Sequence, residues 1–222
     1  MDFPAKCNLT QDQNRRFARQ NLTRLVYTNA RFEGITTTLS QTQAIMNGVD
    51  VTGVSLDDIN TIVDLKRGWH FMTATNAPLS IDLEKRINAI VADKDSLAPG
   101  EFRTGQGGVA IGDDKYFTPE DVDSTKEQIY LETLLASPRS TTDKAITLMY
   151  HNMRGQLFWD GNKRSATLIA NKLMIDGGAG LINVPLTLWE PWHKLISEFY
   201  RTGDMQALKQ WTYHYGIQGT SL

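Results

Sequence analysis

The stretch Gln156-Leu157-Phe158-Trp159-Asp160-Gly161-Asn162-Lys163-Arg164-Ser165-Ala166-Thr167 constrains this chain more than any other. Apolar residues at helical spacing (Ile146, Met149, Met153) run into it from about Thr142, and a second helical run leaves it toward Ile175. Between the two lie a carboxylate, a glycine, an amide and two adjacent cations. A helix N-terminus offers free backbone N–H groups and partial positive charge, which suits a phosphate. Gly161 lets the backbone approach a ligand, Lys163 and Arg164 add charge, and Asp160 is the type of ligand that Mg²⁺ shares with phosphate oxygens. On chemistry alone this is a nucleotide or phosphate site on a helix-loop-helix. Plainer readings stand beside it. Asp-Gly is an ordinary turn, Asp160 or Asn162 can cap the second helix, and the cations can be a solvated face. Singly, each residue fits the plain reading. The density of the run favours a site.

The remainder reads as helices with one interruption. Thr10-x-x-Gln13 is a capping box opening a helix to about Phe32, with a stop near Gly34. Ser40 opens a short second helix that ends before Gly48, Ser55 a third through Leu65 and on toward Phe71, and Ser80 a fourth with Leu83, Ile87 and Val91. From Asp95 to Tyr116 the pattern changes. Glu101–Thr104 and Val109–Ile111 read as two arms of a small hairpin around Gly105-Gln106-Gly107-Gly108. Thr118-Pro119-Glu120-Asp121 then reads as a helix start. Past Gly177-Gly178-Ala179-Gly180 come a short extended piece at 181–184, a Trp-rich helix from Trp189 and a last helix from Met205 to about Tyr215. The expected fold class is all-α, a helical bundle with one small β-hairpin, in a single domain over 1–222.

Composition narrows the function classes. With a net charge of −2, no basic excess points to nucleic acid. The one cysteine, Cys7, excludes an internal disulfide framework and fits a reducing compartment. There is no apolar run of membrane-spanning length and no signal-peptide core near Met1, so the expectation is a cytoplasmic protein with no membrane partner.

The central stretch resembles the signature of Fic-domain proteins, H-x-F-x-D/E-G-N-x-R-x-x-R. Phe158, Asp160, Gly161, Asn162 and Arg164 match in order and spacing, while the signature His falls on Gln156 and its second Arg on Thr167. The likeness extends further. Pro99–Arg103 with Val109-Ala110-Ile111 looks like the family's flap, placed near 101–112. Asn29-Ala30-Arg31-Phe32-Glu33-Gly34 looks like its inhibitory motif, S/T-x-x-x-E-G/N, with Asn29 where Ser or Thr is expected. The resemblance divides the chain into an N-terminal helical part, 10–75, carrying that brake, and a Fic core, 80–215.

What the resemblance implies is a bacterial enzyme that moves AMP from ATP to a protein hydroxyl. Asp160 would hold Mg²⁺, and Gly161, Asn162, Lys163 and Arg164 would hold the nucleotide, Arg164 on the leaving phosphates. Phe158 would anchor the loop. Arg103, Val109 and Ile111 of the flap would bind the target protein by strand addition. Glu33 would be regulatory, although its usual partner is the Arg replaced by Thr167. The family's His deprotonates the target hydroxyl, and the neutral amide of Gln156 can only orient one. His151, five positions earlier, falls on another face of the helix and reads as structural. Three functions follow: a slow or inactive nucleotidyltransferase, a nucleotide-binding pseudoenzyme serving as a regulatory or interaction module, and a phosphotransferase like the Doc branch, which Lys163 and Thr167 bring in. The target, the base of the nucleotide and any homo-oligomer are not specified by the sequence.

Overall fold

A computed structural model describes residues 3–111 and 114–220. Ten α-helices carry the fold among the described residues: α1 (Gln11–Gln20), α2 (Leu22–Arg31), α3 (Leu39–Met46), α4 (Leu56–Ala74), α5 (Ile81–Val91), α6 (Ser124–Ala136), α7 (Thr141–Gly155), α8 (Asn162–Asp176), α9 (Trp189–Thr202) and α10 (Gln206–Trp211). A β-hairpin, β1 (Gly108–Ile111) with β2 (Asp114–Phe117), stands between α5 and α6. A second antiparallel pair, β3 (Leu181–Ile182) with β4 (Ile217–Gln218), ties the chain end to the turn after α8.

The central helix is α8, buried along nearly its whole length. Leu168, Ile169 and Ile175 join one core with α1, α2, α4 and α5, while Ala166, Ala170 and Met174 join another with α7 and α9. A helix apolar on both sides has nowhere to go but the interior. Close approach is secured by Gly68 of α4, where a Cβ would come within 2.8 Å of Leu168 and 2.4 Å of Val91. A small third cluster, Phe102, Leu157 and Phe158, holds the α7–α8 loop; the two phenylalanine rings lie 5.4 Å apart.

Four local expectations need correcting. The first predicted helix is two, parted at Asn21, whose side-chain amide bonds back to Phe17 O. The capping box of α3 is Thr38–Gln41, not one opened by Ser40. The hairpin pairs Val109 with Tyr116 and Ile111 with Asp114, so its second arm lies downstream of residues 112–113, which are outside the described residues. The predicted first arm instead makes a lone bridge between Phe102 and Phe158. Helix α6 begins at Ser124 under an Asp123 cap rather than at Thr118. Thr118 is buried, with its hydroxyl oxygen accepting from Gly107 N at 3.0 Å, and the carbonyls of Pro119 and Glu120 both accept from Arg103. A segment whose polar groups are already committed cannot also start a helix.

Candidate active site

The loop from Gln156 to Gly161 is built by its own side chains. Gln156 ends α7 in the left-handed region (φ 47°), the only non-glycine with positive φ among the described residues. Its Nε2 donates to Met153 O at 2.6 Å, and its Oε1 accepts from Asn162 Nδ2 at 3.3 Å. Asn162 also accepts from Phe158 N and donates to Phe158 O, both at 2.9 Å, and so closes the loop on itself. Phe158, 2% exposed, anchors it in the third cluster. Gly161 needs a left-handed backbone (φ 68°), and a Cβ there would sit 2.8 Å from that of Ala92. No side chain caps α8, which leaves the first-turn amides after Gly161 open to a ligand.

Arg164 is engaged differently from the expectation that it grips leaving phosphates. It is 2% exposed, and its Nε donates to Glu33 Oε1 at 3.2 Å, Nη1 to Asp95 Oδ2 at 2.7 Å and Val91 O at 2.6 Å, and Nη2 to Asp160 Oδ1 at 3.1 Å. Burial works against its charge; Glu33, Asp95 and Asp160 more than offset that, and the guanidinium is held firmly protonated. Three carboxylates thus stand where phosphate oxygens would. Thr167, at the second Arg position, is buried with its hydroxyl on Lys163 O.

Lys163 makes no ion pair or side-chain hydrogen bond among the described residues. It borders a cleft of about 230 Å³ together with Gly34, Ala110, Trp189, His193 and Tyr200. Phe32, Trp189 and Trp192 form one wall, with ring centroids 5.0 to 5.5 Å apart. Tyr200 donates to Met153 O, and burial pushes its hydroxyl well above the ordinary tyrosine range, so it stays protonated. Asp160 fits a cation ligand: its side chain is 48% exposed, with Oδ1 shared between Arg164 and Gly161 N, and Oδ2 without a hydrogen bond among the described residues. A single carboxylate beside open amides suits Mg²⁺, which is bound by one or two carboxylates plus phosphates.

Of the flap residues, Val109 and Ile111 lie in β1 and Arg103 lies outside the hairpin strands. Arg103 is 2% exposed and donates only to main-chain carbonyls: Gln156 O at 2.6 Å, Gly155, Gly105, Pro119 and Glu120. It braces the hairpin's approach against the end of α7, with its donors committed to carbonyls. Ile111 is 3% exposed and packs inward with Val109, whereas Ala110 and Phe117 face out. His151 bonds to Glu127 Oε2 at 2.7 Å and stacks on Tyr130 at 3.6 Å. Sequence reasoning missed Asp95, the aromatic wall, His193 and Tyr200. Trp189, Trp192, His193 and Tyr200 share an amphipathic helix that could have drawn notice; Asp95 has no local signal.

Residues 78–174, which hold this loop, Arg103, the hairpin, α7 and most of α8, match the model of the Fic/DOC family. The chain contains a Fic/DOC domain. It is 27% identical over 184 residues to the protein adenylyltransferase fic-1 of Caenorhabditis elegans, an alignment covering 78% of this chain and 35% of the relative. The chain therefore spans about a third (35%) of the length of that relative. A Fic-domain signaling protein from Bacteroides thetaiotaomicron superposes with a TM-score of 0.76 at 16% identity, covering 93% of this chain and 85% of that one. BepC of Bartonella tribocorum, solved with bound AMPPNP, has a TM-score of 0.53 at 12% identity, covering 83% and 90%. These likenesses show the Fic fold, helical with a small hairpin. Among the described residues no helix is long and apolar enough to cross a membrane.

Proposed function

We propose that this domain is a Fic-type nucleotidyltransferase that moves AMP from ATP to a protein hydroxyl, and that it rests in a restrained, slow form. The observation that carries the reading is the loop itself: an uncapped α8 N-terminus, a left-handed Gly161, a half-exposed Asp160 and, among the described residues, an unpaired Lys163, which borders the aromatic-walled cleft. The phosphates would rest on the α8 amides and Lys163, with Asp160 holding Mg²⁺, whose charge neutralises them. A target segment would lie along the open edge of the hairpin, since β1 and β2 pair only with each other among the described residues. In the transfer, the target oxygen bonds to the α-phosphorus, the bond to the bridging oxygen breaks, and pyrophosphate departs. The hydroxyl proton goes to water, because Gln156 cannot accept it. Glu33 would act as a brake by occupying Arg164, a different partner from the family's usual one. The single cysteine supports a reducing, cytoplasmic location.

One observation favours a second reading, a nucleotide-binding module without turnover. Both ends of the Gln156 amide are tied to the protein's own groups, which leaves it poorly placed even to orient a hydroxyl. The test is to incubate the protein, and a Gln156→His variant, with Mg²⁺, ATP and a bacterial lysate, and to read adducts by mass spectrometry. An AMP-sized adduct from the unaltered protein supports the transferase, and a phosphate-sized one replaces it with the Doc-like reaction. Adducts from the His variant alone leave the binding module. Silence from both, with no ATP binding by calorimetry, overturns nucleotide chemistry altogether.

A further inference from the structure

A second cleft, of about 420 Å³, lies across the hairpin from the one that Lys163 borders. Tyr116 of β2, Arg154-Gly155 and Leu157 on either side of Gln156, Phe199 and Met205 line it. Val109 and Ala110 of β1 thus line the cleft that Lys163 borders, and Tyr116 of β2 lines this one.

The cleft's charges are unevenly matched. Asp123 caps α6 and pairs with Lys126 at 3.3 Å, and Glu127 is bound to His151. Arg103 is saturated by carbonyls, and Asp121 is an exposed residue of the lining. Arg154 is the exception. It has no carboxylate within ion-pair distance among the described residues. Its guanidinium lies over the rings of Tyr116 at 4.6 Å and Phe199 at 5.9 Å and makes one long bond, 3.4 Å, to Tyr200 O. Its Nε is buried with no partner at all. A half-buried guanidinium whose Nε is buried without a partner has donor capacity to offer an anion. The two buried arginines show the contrast: Arg103 has carbonyls and Arg164 has carboxylates.

We propose that this cleft is a second anion site, centred on Arg154, that takes a carboxylate, and that in the working protein the carboxylate is an acidic side chain of the target segment lying on the hairpin. The assignment of the carboxylate to a target rests on the transferase reading above; the anion site itself does not. The apolar walls take the methylene stem while Arg154 takes the head, so the cleft selects targets with Asp or Glu near the modified hydroxyl. The same chemistry could come from a free small carboxylate or phosphate, and the test separates the sources.

Two measurements decide it. Amide shifts of Gly155 and its neighbours are followed by NMR while succinate, and separately inorganic phosphate, is titrated into the full chain, as wild type, Arg154→Gln and Arg154→Lys. The site predicts saturable shifts in the wild type, reduced in the Lys variant and lost in the Gln variant, with ATP affinity unchanged in all three. Independently, hydroxyl-bearing peptides that differ only in Glu against Gln near the acceptor are offered to the Gln156→His protein. A preference for Glu of about tenfold, abolished by Arg154→Gln, assigns the site to targets. Shifts with succinate or phosphate but equal use of both peptides would overturn the target assignment and leave a small-anion site. Failure of the peptides to react at all, with shifts intact, is a failure of the transferase reading rather than of the site. No saturable shift with either anion, in a wild type and an Arg154→Lys variant that both fold by circular dichroism, overturns the site itself.

Discussion

Glu33 and Arg164, 131 positions apart, form an ion pair at 3.2 Å that joins the end of α2 to the first turn of α8. The pair puts a carboxylate on the cation that the signature reserves for phosphate. The side chain of Glu33 is 28% exposed, whereas that of Arg164 is 2% exposed, so the glutamate is the partner able to leave. Glu33→Gln should therefore raise ATP affinity, about three- to tenfold for a pair energy near 1 kcal/mol, as read by calorimetry with Mg²⁺. Asp95 and Asp160 still hold the guanidinium, so the melting temperature should fall by only a few degrees. Unaltered affinity would make Glu33 a helix-end anchor and nothing more.

Gln156→His tests what the domain lacks. The position demands a left-handed backbone, and His tolerates it better than most side chains, so the fold should carry the change. If the loop is otherwise competent, restoring a base should speed adduct formation by about 10²–10⁴-fold. A rate that stays flat while ATP still binds would place the defect in the lock on Arg164, and the double variant with Glu33→Gln would then be the faster one.

The loop was readable from sequence because its geometry is local. Phe158, Asp160, Gly161 and Asn162 lie within a few residues of one another and match the signature in order and spacing, whereas the bonds of Asn162 back to Phe158 were not expected. Helix starts with a Ser or Thr cap, as at Thr10, Ser55 and Ser80, were readable for the same reason. What escaped was decided at long range. Asp95 reaches Arg164 across 69 positions, and nothing near Asp95 marks it. Thr118-Pro119-Glu120-Asp121 has every mark of a helix start, yet Arg103 and Gly107 had already claimed its polar groups. The hairpin was displaced because the Gly-rich run that looked like its turn is the approach to its first strand.

Arg103 should prove one of the costliest single residues to replace. Five carbonyls from three separate segments end on one guanidinium, and burial already lowers its pKa. Lysine brings three donors at one point and cannot span them. Arg103→Lys should lose about 2–4 kcal/mol in urea unfolding, in line with orphaned buried acceptors. Hydrogen exchange should quicken first along β1 and at the Gln156 amide. A variant with native stability would mean that water replaces the side chain without loss.

Glu84 makes the fold sensitive to alkali. It is 1% exposed in α5, with Oε2 accepting from Asn152 Nδ2 at 3.1 Å and Oε1 buried without a partner. Burial raises its carboxyl to about 8; the Asn152 bond pulls down and the nearby charge of Glu127 pushes up. The native protein thus keeps this proton at neutral pH, while the unfolded chain releases it near the ordinary value of 4.5. Between those values the native state binds more protons, so its contribution is full below about 4.5 and is lost as pH rises toward 8. The slope is at most about 1.4 kcal/mol per pH unit. Glu84→Gln keeps the shape and cannot ionise. Its advantage over the wild type should grow between pH 5 and 8 in urea unfolding and level off beyond. Parallel curves for the two proteins would show that Glu84 is already charged in the folded state, and that water reaches Oε1.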